Sequence, residues 1–142
     1  MILVDANLLV YAYAESSPYH DGSSRWFKSQ MTGTTPVGLP WNSVLTFVRL
    51  MTNPAVFQPK ISAEEAWSFV RDWLDNSIVW IPQPTERHAD VFGSLMKFVA
   101  RPEHVPDAHL AALAIEHNLT LCTNDGGFTR FPGLRWRNPL QP

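Results

Sequence analysis

The stretch "MILVDANLLVYAYA", residues 1–14, decides the fold class of this chain. Residues 2–4 form a short apolar run without polar alternation, which is typical of a strand buried on both faces of a parallel sheet. Residues 6–14 predict a helix that follows the strand after a single residue. That residue is Asp5, whose carboxylate could cap the helix and stabilise it by about 1 kcal/mol. An acid between two hydrophobic segments could also belong to a site whose other members lie far along the chain.

Strands and helices continue to alternate after this opening, with turn-forming residues between them. We predict further strands in "TTPVGLP" (34–40), "SIVWIP" (77–82), "LTLCT" (119–123) and "LRW" (134–136). A turn is predicted in "NDGGF" (124–128). Helices are predicted over about 18–31, 41–53, 62–76, 85–100 and 105–118. This order favours an α/β fold with a mostly parallel sheet. No repeat, low-complexity tract or linker divides the sequence, so we expect one domain over residues 1–142.

The composition limits the classes of function. Apolar residues make up 45% of the chain and charged residues 17%, as in a globular domain. The one cysteine, Cys122, cannot form an internal disulfide, and neither a leader nor an apolar run of about 20 residues is present, so we expect a cytoplasmic protein. The net charge of −2 argues against a broad nucleic-acid-binding surface, but it leaves room for an enzyme that holds RNA through a few arginines and bound cations.

Three aspartates are placed where an α/β sheet gathers its ligands, beyond the carboxyl ends of the strands. Asp5 follows the first strand, Asp125 follows the strand in 119–123, and Asp107 lies in the first turn of a helix. Three converging carboxylates would repel one another unless a cation neutralised them, and Mg²⁺ and Mn²⁺ favour oxygen ligands. A water acidified by such an ion could attack a phosphodiester.

Each candidate also has a structural interpretation, and spacing alone leaves both open. Asp5 could only cap its helix, Asp107 could complement the dipole of its own helix, and Asp125 could be a turn residue before two glycines. Asn7 could hold Asp5 or a metal-bound water, or be an ordinary first-turn residue. Arg49 could contact an RNA phosphate or a pocket carboxylate, or form an exposed ion pair along its helix.

Three segments resemble one protein family: "ILVDANLLVYA" (2–12), "LPWNSVLTFVRLMTNPAVF" (39–57) and "VPDAHLAALAIEHNLTLCTNDGGFTRFPGLRW" (105–136). They are similar to PIN-domain ribonucleases, and more narrowly to VapC, the toxin of bacterial VapBC toxin–antitoxin pairs. The resemblance implies an α/β/α sandwich, usually dimeric, with a Mg²⁺- or Mn²⁺-dependent acidic pocket that cuts single-stranded or looped RNA. It also implies a cognate VapB-type antitoxin that binds the toxin and inhibits it.

The resemblance places the catalytic and metal-holding acids on Asp5, Asp107 and Asp125, with Thr123 as a neighbouring hydroxyl. The implied reaction is hydrolysis of an RNA phosphodiester by a metal-activated water. Exposed arginines would position the RNA backbone without reading its sequence.

Two positions depart from the family pattern. Thr46 stands where many members carry a glutamate, and Gly127 stands at the second aspartate of a "T-x-D-x-D-F" segment. Asn42 or Ser43 could add a neutral oxygen to the pocket. Because the pocket is less acidic than the full pattern, the alternative is a PIN-like module that no longer cleaves and that binds RNA or a partner. A DNA-directed nuclease is a weaker third option, since nothing marks an element that reads duplex DNA.

Other candidates have simpler expected roles. Glu116 lies nine residues after Asp107, on about the opposite face of the same helix, so we expect a surface acid. We expect the three histidines that could serve as general bases, His20, His104 and His109, to be helix-end or surface residues.

The helix predicted over 62–76 is apolar over a broad arc that includes Trp67 and Trp73. Burial in the core explains such an arc. Part of it could instead line a groove for an antitoxin helix. A structure with both indoles fully buried would remove that second interpretation.

Overall fold

In the computed structural model, which describes residues 1–141, a five-stranded sheet forms the centre of the protein. The strands are β1 (Ile2–Val4), β2 (Val37–Gly38), β3 (Val79–Trp80), β4 (Thr120–Cys122) and β5 (Trp136–Arg137). Their order is β3-β2-β1-β4-β5, and every neighbouring pair is parallel. The predicted α/β fold is confirmed, although β5 begins only where the strand predicted in 134–136 ends.

Helices connect the strands. They are α1 (Ala6–Tyr13), α2 (His20–Met31), α3 (Trp41–Met51), α4 (Ala63–Leu74), α5 (His88–Leu95) and α6 (His104–Glu116), with short 3₁₀ helices at Met96–Phe98 and Gly126–Arg130. The helix predicted over 85–100 is therefore shorter and ends in a 3₁₀ turn, and the turn predicted in 124–128 leads into a 3₁₀ helix. Within residues 1–141, none of the helices has the length and apolar character needed to cross a membrane.

The side chains of β1 show why two helical layers form. Ile2 and Val4 are buried in one cluster with residues of α1 to α4, and Leu3 is buried in a second cluster with residues of α5 and α6. Successive side chains of a strand point to opposite faces, so an entirely apolar strand needs cover on both sides. The result is the α/β/α sandwich that the family resemblance implies.

Local sequence signals set several helix ends. The Ser62 hydroxyl accepts the backbone N–H of Glu65 at 3.0 Å and so caps the start of α4. Helix α3 ends at Met51, ahead of Pro54. Asn118 follows the end of α6 with a φ of 57°, a left-handed conformation that asparagine tolerates.

The prediction that Glu116 is a surface acid is wrong. Its side chain is fully buried. One carboxylate oxygen accepts the N–H and the O–H of Thr85 at 2.8 and 2.7 Å, and the other contacts Nδ1 of His88. Burial opposes ionisation, but the hydrogen bonds from Thr85 and His88 outweigh it and hold the pKa of Glu116 below its usual value. Helical geometry correctly separated Glu116 from Asp107, but it could not show that α5 covers the other face of α6.

Glu116→Ala should lower the free energy of unfolding by roughly 3 kcal/mol at neutral pH, because Thr85 and His88 lose a buried acceptor. A lowered pKa means that this contribution is complete above pH 4.5 and is lost as the pH falls through the folded-state pKa. Denaturant titrations at neutral and acidic pH measure both effects. The exposed neighbour Glu86, changed to Ala, is the matched control, and an equal loss in both variants would contradict the prediction.

Candidate active site

The central strands β1 and β4 end side by side at a topological switch point. The chain leaves β1 into α1, which packs on one face of the sheet, and leaves β4 toward Phe128, which is buried on the other face. The two connections diverge and leave a crevice beyond the carboxyl ends of the strands, where open α/β sheets bind their ligands. Asp5 and Thr123 are the first residues past these two strands.

The Asp5 carboxylate joins the two connections. The backbone N–H of Ala6 donates to Oδ1 at 2.7 Å, so the predicted helix cap is present. The Thr123 hydroxyl donates to Oδ2 at 2.7 Å. One carboxylate therefore caps α1 and links the ends of β1 and β4, so a capping role does not exclude a place in the site.

The Thr123 hydroxyl is fully engaged. It is buried, and it accepts Nδ2 of Asn7 at 3.2 Å and the backbone N–H of Asp125 at 3.0 Å. Oδ1 of Asn7 also accepts the backbone N–H of Asn124 at 3.4 Å. Asn7 thus positions the loop that carries Thr123, and it reaches Asp5 only through that hydroxyl.

A cavity of about 520 Å³ opens beside Asp5, between α3 and the start of α6. Its polar lining consists of Asp5, Asn42, Ser43, Thr46, Arg49, Glu103 and Asp107. The Ser43 hydroxyl donates to the carbonyl of Val4 at 2.7 Å, so it fastens α3 to β1 and offers the cavity little. Arg49 is exposed and forms no ion pair within residues 1–141, so the helix ion pair considered for it is not observed.

Burial and mutual repulsion disfavour ionisation of both cavity aspartates. Burial raises the pKa of Asp5 to about 6, although hydrogen bonds from Thr123 and Ala6 oppose the shift; the charges of Asp107 and Asp125 add to it. The pKa of Asp107 is also raised, first by burial and then by the charge of Asp125. The negative charges of these acids oppose one another at one cavity, so a cation placed there would be stabilised.

The charge of Asp125 is close enough to raise the pKa values of Asp5 and Asp107, but Asp125 does not line the cavity. It is exposed, and its Oδ1 accepts the backbone N–H of Gly127 at 2.8 Å, which caps the following 3₁₀ helix. The described residues accordingly contain no group of three acidic, histidine or cysteine side chains arranged around one metal position. Two carboxylates suit Mg²⁺, which commonly takes one or two protein carboxylates and completes its shell with waters and substrate phosphate.

Gly127 permits the present position of the Asp125 carboxylate. A Cβ at residue 127 would lie 2.9 Å from Oδ1 of Asp125 and 3.0 Å from a guanidinium nitrogen of Arg130. Any side chain here would therefore move Asp125. Gly127 therefore has two effects. It removes the second aspartate of the "T-x-D-x-D-F" segment, and it leaves room for the carboxylate of Asp125 to turn toward its own loop.

Two charged residues near the site were not predicted from the sequence. Glu103 lines the cavity, and Arg130 lies near enough to Asp107 to oppose the rise of its pKa. The loop "RPEH" before α6 gives no pattern that marks Glu103, and Arg130 is brought in by the turn at Gly127.

None of the three histidines considered lines the cavity. His20 and His104 are the first residues of α2 and α6, as expected, although His104 is buried and its Nδ1 accepts two backbone N–H groups. His109 differs from the expectation: it lies inside α6, half-buried, with Nδ1 at 3.1 Å from Nε2 of His88.

Comparisons with known proteins place this chain in a family. The family model described as PIN domain matches residues 2–134. The chain is 40% identical over 140 residues to Ribonuclease VapC37 of Mycobacterium tuberculosis, which covers 98% of this chain and 97% of the relative. It is 38% identical over 141 residues to VapC ribonuclease Mb2897 of Mycobacterium bovis, covering 99% and 96%.

Solved structures share the fold at lower sequence identity. A chain of VapBC2 from Rickettsia felis, bound to a DNA fragment from its promoter, superposes with a TM-score of 0.66 at 22% identity, over 97% of this chain and 98% of that one. VapC20 of Mycobacterium tuberculosis, a toxin that cleaves the Sarcin-Ricin loop, gives a TM-score of 0.64 at 16% identity, over 95% and 99%.

The raised pKa of Asp5 makes a prediction for the metal-free protein. Since the folded-state pKa of about 6 exceeds the unfolded value of 3.8, the free energy of unfolding should decrease as the pH rises through this window. Asp5→Asn should remove about 3 kcal/mol of that decrease. Denaturant titrations in EDTA, at pH values on either side of the window, measure it. An unchanged pH dependence in Asp5→Asn, or an equal change in the exposed control Asp90→Asn, would contradict the assignment.

Proposed function

We propose that this chain, which belongs to the PIN-domain family and groups with its VapC ribonucleases, is a toxin that hydrolyses RNA and holds a divalent cation at Asp5 and Asp107. The observation that carries the proposal is the pair of buried or half-buried carboxylates at one cavity, with no guanidinium or ammonium bonded to either of them within residues 1–141. Asp125 stands beside them and could join the site if its carboxylate released Gly127.

Mg²⁺ or Mn²⁺, when bound, supplies charge neutralisation of the scissile phosphate and lowers the pKa of a coordinated water. The protein contributes position. Hydrogen bonds from Ala6 and Thr123 fix the orientation of Asp5, so its ligand geometry exists before anything binds. Asp107 has no hydrogen-bond partner within the described chain, so its carboxylate is free to take a ligand.

Arg49 supports the choice of an anionic substrate. Its side chain lies on the cavity wall, exposed and without an ion pair in the described residues, two turns of α3 after Trp41. A guanidinium in this place can bind a phosphate oxygen of the RNA backbone. Thr46, one turn closer to the start of α3, offers a neutral hydroxyl where an acid would repel the same phosphate.

We propose the partners on the same basis. Several structural neighbours, VapBC2 among them, are toxin–antitoxin complexes, and a VapB-type antitoxin that covers the cavity would explain how an active nuclease is tolerated. A homodimer is part of the same proposal. Relatives named as ribonucleases favour cleavage over the non-catalytic binding module, which the depleted acid set alone would allow.

Removing either cavity carboxylate should abolish catalysis without unfolding the protein. Asp5→Asn and Asp107→Asn should each lower the rate of RNA cleavage by roughly a hundredfold or more, and EDTA should do the same to the wild type. A fluorescent mixed-sequence RNA, assayed with and without added Mn²⁺, gives the rates, and circular dichroism confirms folding. Full activity in EDTA, or in a folded Asp5→Asn protein, would exclude the mechanism, and Asp90→Asn is the control.

The hydroxyl of Thr123 should matter through Asp5. Thr123→Val keeps the shape of a buried side chain but removes the hydrogen bond that orients the carboxylate. We expect cleavage to fall by about 10- to 100-fold and Mn²⁺ affinity to weaken in parallel. Calorimetric Mn²⁺ titration and the RNA assay test this together. Thr129→Val, at an exposed threonine of the 3₁₀ helix that follows, should leave both unchanged. Wild-type activity and Mn²⁺ affinity in Thr123→Val would disprove the positioning role.

A further inference from the structure

Two tryptophans are exposed next to each other at the start of α3 and on α4. Trp41 and Trp67 expose 40% and 39% of their surface, and their rings are parallel within 8° with centroids 6.4 Å apart. The two tryptophans of the apolar arc predicted on α4 differ in exposure. Trp73 is buried and donates its N–H to the Tyr13 hydroxyl, whereas Trp67 lies outside the core. We call Trp41 and Trp67 the indole pair.

The indole pair adjoins the candidate active site. Trp41 begins α3, shortly after β2 ends at the same edge of the sheet that carries Asp5. Its neighbour Asn42, and Leu45 one turn later, both line the cavity, and Leu45 is 62% exposed. Arg49 continues the same side of α3 along the cavity wall. Trp41, Leu45 and Arg49 therefore follow one another at helical spacing along α3, and the last two line the cavity.

We propose that the indole pair stacks a nucleobase of single-stranded RNA adjacent to the phosphodiester held in the cavity, an inference that rests on the proposed function. Aromatic side chains beside a positive charge are the usual means of binding single strands, since every base has a face that can stack. Two parallel, partly exposed indoles offer ring faces of one orientation on which a base can stack. Binding of this kind is tolerant of sequence, so Trp41 and Trp67 position substrate without selecting the base.

The observations favour a base over a protein partner. The exposed large hydrophobic side chains of α3 and α4 are Trp41, Leu45 and Trp67. An amphipathic helix or a second copy of the chain would require a longer stripe of apolar residues. Arg49 and the acidic cavity follow the indole pair along α3. This order matches a single-stranded nucleic acid, in which flat bases alternate with phosphates.

The test separates binding from cleavage. In the Asp5→Asn protein, which should bind without cutting, fluorescence anisotropy of a labelled mixed-sequence single-stranded RNA gives the Kd. Trp41→Ala and Trp67→Ala should each weaken binding by about tenfold, while Trp41→Phe retains most of it. In otherwise wild-type protein the same changes should raise KM and leave kcat nearly unaltered. Tyr19→Ala is the matched control, because Tyr19 is an exposed ring that pairs with Tyr11 and does not line the cavity.

Several outcomes would overturn the inference. Unchanged Kd and KM in folded Trp41→Ala and Trp67→Ala would disprove stacking, even if wild-type cleavage and its metal dependence uphold the proposed function. A change of sedimentation from dimer to monomer with unchanged RNA affinity would assign the indole pair to a subunit interface. Loss of antitoxin inhibition alone would assign it to that partner. Absence of RNA cleavage by the wild type would instead refute the proposed function, and the Kd comparison would still report on stacking.

Discussion

The hydrogen bond from the Thr123 hydroxyl to the Asp5 carboxylate is the contact on which the site depends. The two residues are 118 positions apart and meet only because β1 and β4 pair in parallel with Val4 opposite Cys122. That register places the next residue of each strand at the same level, where the connections diverge. A buried carboxylate is costly unless it is hydrogen-bonded, and here both oxygens have donors before any ligand binds.

Glu116 and Asp5 show how the environment of a carboxylate decides whether its pKa falls or rises. Glu116 is surrounded by donors that match its charge, so its pKa is lowered and the group holds α5 and α6 together. Asp5 has donors too, but burial and the charges of Asp107 and Asp125 outweigh them and raise its pKa. The ionised form of Glu116 is therefore stabilised by its neighbours without any further charge. Around Asp5 the described residues form no ion pair, so a bound cation would be stabilised there, as the proposed function supposes.

Of the two departures from the family pattern, Thr46 lines the cavity and Gly127 lies outside its lining, and the two have different consequences. Thr46 leaves the α3 wall of the cavity uncharged at its position, close to Arg49 on the same wall. Gly127 lets the Asp125 carboxylate turn toward its own loop, so this acid acts on the cavity through its charge and not by lining it. Of the three predicted acids, Asp5 and Asp107 line the cavity, and one or two carboxylates are what Mg²⁺ commonly takes from a protein.

Much of this protein was determined by its sequence alone. The unalternated run in residues 2–4, the helix caps at Asp5 and Ser62, and the alternation of strands with helices follow from local preferences and burial, and the resemblance to PIN-domain ribonucleases located the three aspartates. Tertiary structure decided which of those acids share a cavity, that Glu116 is buried, and that Trp67 is exposed while Trp73 is not. These properties depend on neighbours distant in the chain, because a side chain's environment is set by the elements packed against it and not by its own helix or strand.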